Sequence, residues 1–172
     1  MPGTETRLFG TVAGEARIEA MTRAYVGLGA NLGDREGMLK LALERLAAEP
    51  SIELVAASTL HETEPEGVLD QPRFLNGAAT IETDLSPRQL LARLQLIECE
   101  LGRRRAGPRF GPRVIDLDLL LYGNLTMSEP ELGIPHPRLH LRRFALEPLA
   151  ELEPDLDVPG KGPVRALLAG LD

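Results

Sequence analysis

The chain has 172 residues, 43% hydrophobic and 26% charged, with a formal net charge of −7. That describes one ordinary globular domain, long enough to bury a core. The acidic balance excludes a binder that depends on neutralising nucleic-acid phosphates. The single cysteine excludes an intramolecular disulfide and a cysteine-based zinc site, and no apolar run is long enough to cross a membrane as a helix.

Residues 1–20 show weak periodicity and no secretory signal core, so they are expected to be a leader to a single domain over 21–172, in the cytoplasm. Met21 is a candidate second start. Ala24–Leu28 predicts a strand, and Gly29-Ala30-Asn31-Leu32-Gly33-Asp34 the turn after it. Its glycine spacing does not fit a dinucleotide fingerprint, and neither Lys40 nor Lys161 sits in a P-loop. Asp34 caps a helix over 35–49 with Met38, Leu39, Ala42, Leu43 and Leu46 as its stripe, and Pro50 limits it. A second strand is predicted over Ile52–Glu62 and a third over Phe74–Thr83. The long loop between them suggests function. Phe74 and Asn76 share one face of the third strand, as a ligand shelf or as a solvated edge.

Ser86-Pro87 opens a helix that runs to about Leu101, with Leu90, Leu91, Leu94, Ile97 and Leu101 inward and Gly102 as its stop. Cys99 is expected in the core. Gln95 and Glu98 lie on another flank, where a polar residue is usually just solvated. A Gly/Pro-rich loop with Arg103, Arg104, Arg105, Arg109 and Arg113 follows. It leads into a strand over 114–122 whose alternation puts Asp116 and Asp118 on one face, roughly 6–7 Å apart. Ile115, Leu117, Leu119 and Leu121 form the other, core face. Two carboxylates beside clustered arginines suit a hard cation and a polyphosphate; the plainer alternative is a solvated polar strand face.

Gly123-Asn124 is a turn. His136 lies between Pro135 and Pro137, which stiffen its backbone and suit a positioned ligand group, although a lone histidine is more often structural. A helical pattern spans Leu139–Leu152, a proline-rich stretch Pro154–Pro163, and a short helix Val164–Leu171. The order through residue 122 is βαββαβ. It predicts an α+β, ferredoxin-like sandwich with an antiparallel sheet, helices on one face and the site on the other, plus C-terminal additions.

These motifs together resemble the 6-hydroxymethyl-7,8-dihydropterin pyrophosphokinase family of folate biosynthesis. The resemblance runs from Tyr25 to about Asp157. It rests on Gly29–Asp34, Glu62-Thr63-Glu64-Pro65, Asp70–Asn76, Gly102-Arg103, Arg109–Asp118 with its Arg-x-Gly-Pro-Arg-x-x-Asp-x-Asp core, Ile134–Arg138 and Arg142-Arg143-Phe144. It implies diphosphate transfer from ATP to the pterin hydroxymethyl group, with release of AMP. By the same resemblance, Asp116 and Asp118 hold two Mg²⁺ ions, and Arg103 and Arg113 close over the phosphates and stabilise developing charge. Gln95, Glu98, Arg105, His136 and Arg142 match ATP-contacting positions. Thr63 and Asn76 match pterin hydrogen-bonding positions, and Phe74 and Phe144 would sandwich the ring.

The expected partners are these two small molecules, without nucleic acid or membrane, and the expected state is a monomer. A moving lid is expected at residues 107–112. The chain departs from some relatives at Phe74 (Tyr elsewhere), Phe110 (Trp elsewhere), and Glu64 and Glu66, where apolar residues can occur.

Overall fold

The structure is a computed structural model that describes residues 21–103 and 113–172. The leader over 1–20 and the lid at 107–112 therefore lie outside the described residues. The two longest strands, β1 (Thr22–Ala30) and β4 (Phe74–Thr83), pair antiparallel at the centre of the main sheet. β5 (Asp116–Tyr122) adds antiparallel to the other edge of β1, and β2 (Ile52–Ala57) to the other edge of β4. The order is β2-β4-β1-β5, with β3 (His61–Thr63) also paired to β4.

The predicted second strand is thus two. Ser58 breaks it by turning its side chain onto the partner strand: its Oγ accepts from Ala78 N at 2.9 Å, while Ser58 N donates to Ala78 O at 2.9 Å. The break offsets β3 towards the Phe74 end of β4, where Thr63 faces Phe74.

Helix α1 (Arg35–Ala48) starts where the Asp34 carboxylate accepts from Gly37 N at 3.0 Å. Helix α2 (Pro87–Glu100) starts with a reciprocal Ser86/Gln89 capping box and a proline in its first turn. Both lie on one sheet face, burying Leu39, Leu46, Leu90, Leu94 and Ile97 against Val26, Ile81, Leu117 and Leu119. Cys99, expected in this core, is exposed; the inward stripe of α2 passes through Leu94, Ile97 and Glu98 instead.

Strand β5 departs from strict alternation. Its register against β1 slips between Tyr25 and Val26, which face Leu121 and Leu119, so Leu120 is the extra residue. The slip moves Leu121 off the helix-covered face. It joins Tyr25, Ala78 and Leu120 in a second core on the opposite face.

That second core is covered by the C-terminal elements. A hairpin of β6 (Met127–Glu129) and β7 (Leu132–Ile134), which the sequence pattern did not reveal, leads to a cis Ile134–Pro135 bond. A 3₁₀ turn over Leu139–Leu141, helix α3 (Arg143–Leu152) and helix α4 (Val164–Ala169) follow. The proline-rich stretch pairs as β8 (Asp157–Val158) with β9 (Gly162–Pro163). Leu139, Leu146, Leu149, Val158 and Val164 seal half of the face. The uncovered half, at the Gly29 end of β1, is where the polar strand residues gather.

Candidate active site

The floor of this region is glycine. Gly27 faces Asp118 and Gly29 faces Asp116 across the β1–β5 pair, and Gly29 faces Asn76 across β1–β4. A Cβ on Gly29 would stand 2.8 Å from Asn76 Oδ1, so side chains from the flanking strands own this space. Above the floor is a cavity of 370 Å³ lined by Thr63, Phe74 and Asn76, by Arg103, Arg113, Asp116 and Asp118, and by His136, Arg142 and Phe144. Ten of the thirteen residues that the sequence singled out therefore meet around one space. Gln95, half-buried on α2, and Glu98 do not line it. Arg105 lies outside the described residues.

The aromatic and amide group, Phe74, Phe144, Asn76 and Thr63, sits on β3, β4 and the start of α3. Asn76 is buried and its amide donates to Thr63 Oγ1. The arginine and carboxylate group sits at the end of β5. Asp118 is pushed up to about 8, first by burial and then by the neighbouring Asp116 charge, with Arg142 opposing. Glu98 is only 4% exposed. It accepts from Leu117 N at 2.8 Å and from the Arg103 guanidinium, which also donates to Asp116 Oδ1 at 2.8 Å. Burial raises the Glu98 carboxyl, opposed by the Leu117 hydrogen bond and by Arg103. Burial works against the Arg103 charge, but Asp116 and Glu98 outweigh it and hold its pKa above the usual value.

Three acidic groups so close together call for positive charge. Among the described residues, no group of three or more His, Cys, Asp and Glu side chains is arranged as a metal cage. A pair of carboxylates beside an open cavity is instead the donor set that Mg²⁺ takes, with substrate oxygens and water completing its shell. The residues present fit that ion.

His136 is anchored through its backbone, donating from N to Leu120 O at 2.9 Å. Its Nδ1 accepts from Arg138 N at 3.2 Å, which places the proton of the neutral ring on Nε2. Burial, then the Arg142 charge, lower its pKa to about 4, so the ring is neutral at pH 7. Arg142 lies over the Phe144 ring, 5.3 Å from its centroid.

Three further residues organise the site. Asn31, read from sequence as part of a turn, is 2% exposed. Its Nδ2 donates to Gln71 Oε1 at 2.8 Å and Pro72 O at 3.0 Å, and its Oδ1 accepts from Arg113 N at 2.8 Å. One amide thus ties the end of β1 to the β3–β4 loop and to the entry of β5. Glu66 and Arg138 also line the cavity, joined to each other at 3.0 Å. The signal for Asn31 was its presence in a glycine turn that fits no phosphate loop. The signal for Glu66 was a charge in a stretch where relatives can be apolar.

The 7,8-dihydro-6-hydroxymethylpterin-pyrophosphokinase (HPPK) family model matches residues 25–154. A 2-amino-4-hydroxy-6-hydroxymethyldihydropteridine pyrophosphokinase of Methylorubrum extorquens is 49% identical over 152 residues, covering 88% of this chain and 95% of that protein. The enzyme of the same name from Pseudomonas aeruginosa is 45% identical, covering 86% and 90%. Among solved structures, a Plasmodium falciparum HPPK-DHPS triple mutant aligns with a TM-score of 0.70 at 17% identity. That match covers 87% of this chain and 44% of the other, and it speaks for the fold alone.

Proposed function

We propose how this site works on one premise: the chain belongs to the 7,8-dihydro-6-hydroxymethylpterin-pyrophosphokinase family. It is an ATP-dependent diphosphokinase of folate biosynthesis, which transfers diphosphate from ATP to 6-hydroxymethyl-7,8-dihydropterin. In balance, the pterin hydroxyl oxygen forms a bond to the β-phosphorus of ATP. The bond between that phosphorus and the α-phosphate oxygen breaks. AMP leaves with the bond electrons, and the hydroxyl loses its proton.

The observation that carries the residue assignment is the shared cavity, where an aromatic and amide shelf stands opposite the carboxylate and arginine wall. Phe74 and Phe144 stack on the pterin ring, and Asn76 with Thr63 reads its edge. This puts the hydroxymethyl arm towards Asp116 and Asp118. Those two carboxylates would hold two Mg²⁺ ions, which when bound neutralise charge on the phosphate oxygens. Arg103, set in place by Glu98, and Arg113, set in place by Asn31, stabilise the charge that moves during transfer. Arg142 and neutral His136 orient the nucleotide, along with Gln95, Glu98 and Arg105 in the same assignment. The chain needs no covalent intermediate, because positioning and charge stabilisation suffice for phosphoryl chemistry.

The same proposal takes residues 21–172 as one pyrophosphokinase domain after a leader at 1–20, acting as a cytoplasmic monomer. The β2-β4-β1-β5 order, antiparallel throughout with α1 and α2 on one face, supports a ferredoxin-like scaffold. The test is product analysis by phosphorus NMR with ATP, Mg²⁺ and the hydroxymethyl dihydropterin. AMP and a pterin diphosphate in equal amounts are expected; ADP with a pterin monophosphate would overturn the reading.

A further inference from the structure

The β3–β4 loop enters the cavity through Glu66. Its Oε1 lies 3.0 Å from Arg138 Nη2 and 3.4 Å from Arg142 Nη2, and its Oε2 lies 3.1 Å from Arg142 Nε. The carboxylate therefore spans two arginines as an ion pair, and its one hydrogen bond to Arg142 comes from Nη2, since the buried Nε–H is not aligned with Oε2. A phosphate oxygen is an acceptor that this guanidinium edge can take instead. Arg142 is 12% exposed at this point and Glu66 is 30% exposed.

These three side chains are also part of the wall shared by the 370 Å³ cavity and a second one of 540 Å³, together with Thr63, Glu64 and Phe144. A phosphate that takes the same edge of Arg142 must displace the carboxylate or bring a second negative charge against it.

We propose that Glu66 is a built-in competitor for the nucleotide's phosphates, so that nucleotide binding and release of the β3–β4 loop are one coupled event. This rests on the assignment of Arg142 to the nucleotide, and it adds Arg138 to the same anion-binding edge. The far end of the loop stays fixed, because Asn31 holds Gln71 and Pro72. Release therefore loosens the loop around Glu66, between Glu64, which pairs with Arg73, and Val68, whose carbonyl the Gln71 amide holds, and joins the two cavities. Glu66 sets nucleotide affinity by occupying the place where the ligand binds, and it is a positioning residue for the loop.

The experiment is calorimetric titration of the full chain with a nonhydrolysable ATP analogue and Mg²⁺, for wild type, Glu66→Gln and Asp70→Asn. Asp70 is exposed in the same loop and lines neither cavity, so its variant removes an equal charge away from the arginines. Glu66→Gln is expected to bind about threefold to tenfold more tightly than wild type, and Asp70→Asn to match wild type. Hydrogen exchange around Glu66 is expected to quicken on nucleotide binding in wild type, and to be fast in Glu66→Gln before any nucleotide is added. Equal or weaker binding by Glu66→Gln would overturn the competitor role while leaving the nucleotide site intact. Equal tightening by Asp70→Asn would reduce the effect to net charge and overturn it too. No binding by wild type would overturn the nucleotide reading itself, and this inference with it.

Discussion

Two carboxylates, Glu66 on the cavity lining and Glu98 behind Arg103 and Asp116, are each held by arginine, and they are built differently. Glu98 is 4% exposed and accepts a backbone hydrogen bond from Leu117 N at 2.8 Å as well as the Arg103 guanidinium. Glu66 is 30% exposed and, among the described residues, pairs with the side chains of Arg138 and Arg142. A buried charge that also satisfies a backbone donor belongs to the frame, because removing it leaves an amide and a guanidinium stranded. A half-exposed charge paired only with side chains can be replaced by a ligand of like charge at small cost. The cavity thus has a fixed wall at β5 and an exchangeable one at the β3–β4 loop.

The largest expected effect lies on the fixed wall. Asp116→Asn or Asp118→Asn should lower turnover on the order of a hundredfold to a thousandfold with the fold intact, as measured by AMP release beside circular dichroism. Turnover near wild type in either variant would remove that residue from the reacting centre.

Next comes the frame itself. Glu98→Ala should cost about 2–4 kcal/mol of stability in chemical denaturation, and it should slow turnover as well, since Arg103 loses its anchor. A cost within the range of ordinary surface substitutions would put Glu98 in the same class as Glu66. Asn31→Ala removes the side-chain hydrogen bonds to Gln71, Pro72 and Arg113. It should cost about 1–3 kcal/mol and quicken hydrogen exchange at Arg113.

The remaining effect is a pH dependence that vanishes above pH 6.5. His136 has its folded pKa lowered to about 4, from an ordinary value of 6.5, by burial and the Arg142 charge. Between those values the unfolded chain takes up a proton that the folded one does not. Stability contributed by the neutral ring is therefore full above pH 6.5 and is lost as pH falls towards 4, by about 3 kcal/mol at most. His136→Gln should flatten the stability profile over that window; an unchanged profile would contradict a buried neutral ring.

Much of this wall was legible in the sequence. The Asp-x-Asp alternation placed both carboxylates on one face, and the Phe74/Asn76 pair shared that face across β1, because strand periodicity is local information. The bulge at Leu120 was not legible, since Leu119-Leu120-Leu121 is apolar on both faces and carries no mark of a slipped register. Glu98 read as solvated because its helical position shows no partner. Its burial comes from Leu117 and Arg103, which follow it by 19 and 5 residues. Asn31 was hidden in the same way, with partners 40, 41 and 82 residues away. Long-range polar partners leave no periodic trace.

The most direct measurement compares nucleotide affinity in Glu66→Gln and Glu98→Gln, both titrated with the ATP analogue and Mg²⁺ under conditions where each variant is folded. The account predicts opposite signs. Glu66→Gln binds more tightly because a competitor has gone, and Glu98→Gln binds more weakly because Arg103 is no longer held. A shift of the same sign in both, or in neither, would contradict the division of the cavity into a fixed wall and an exchangeable one.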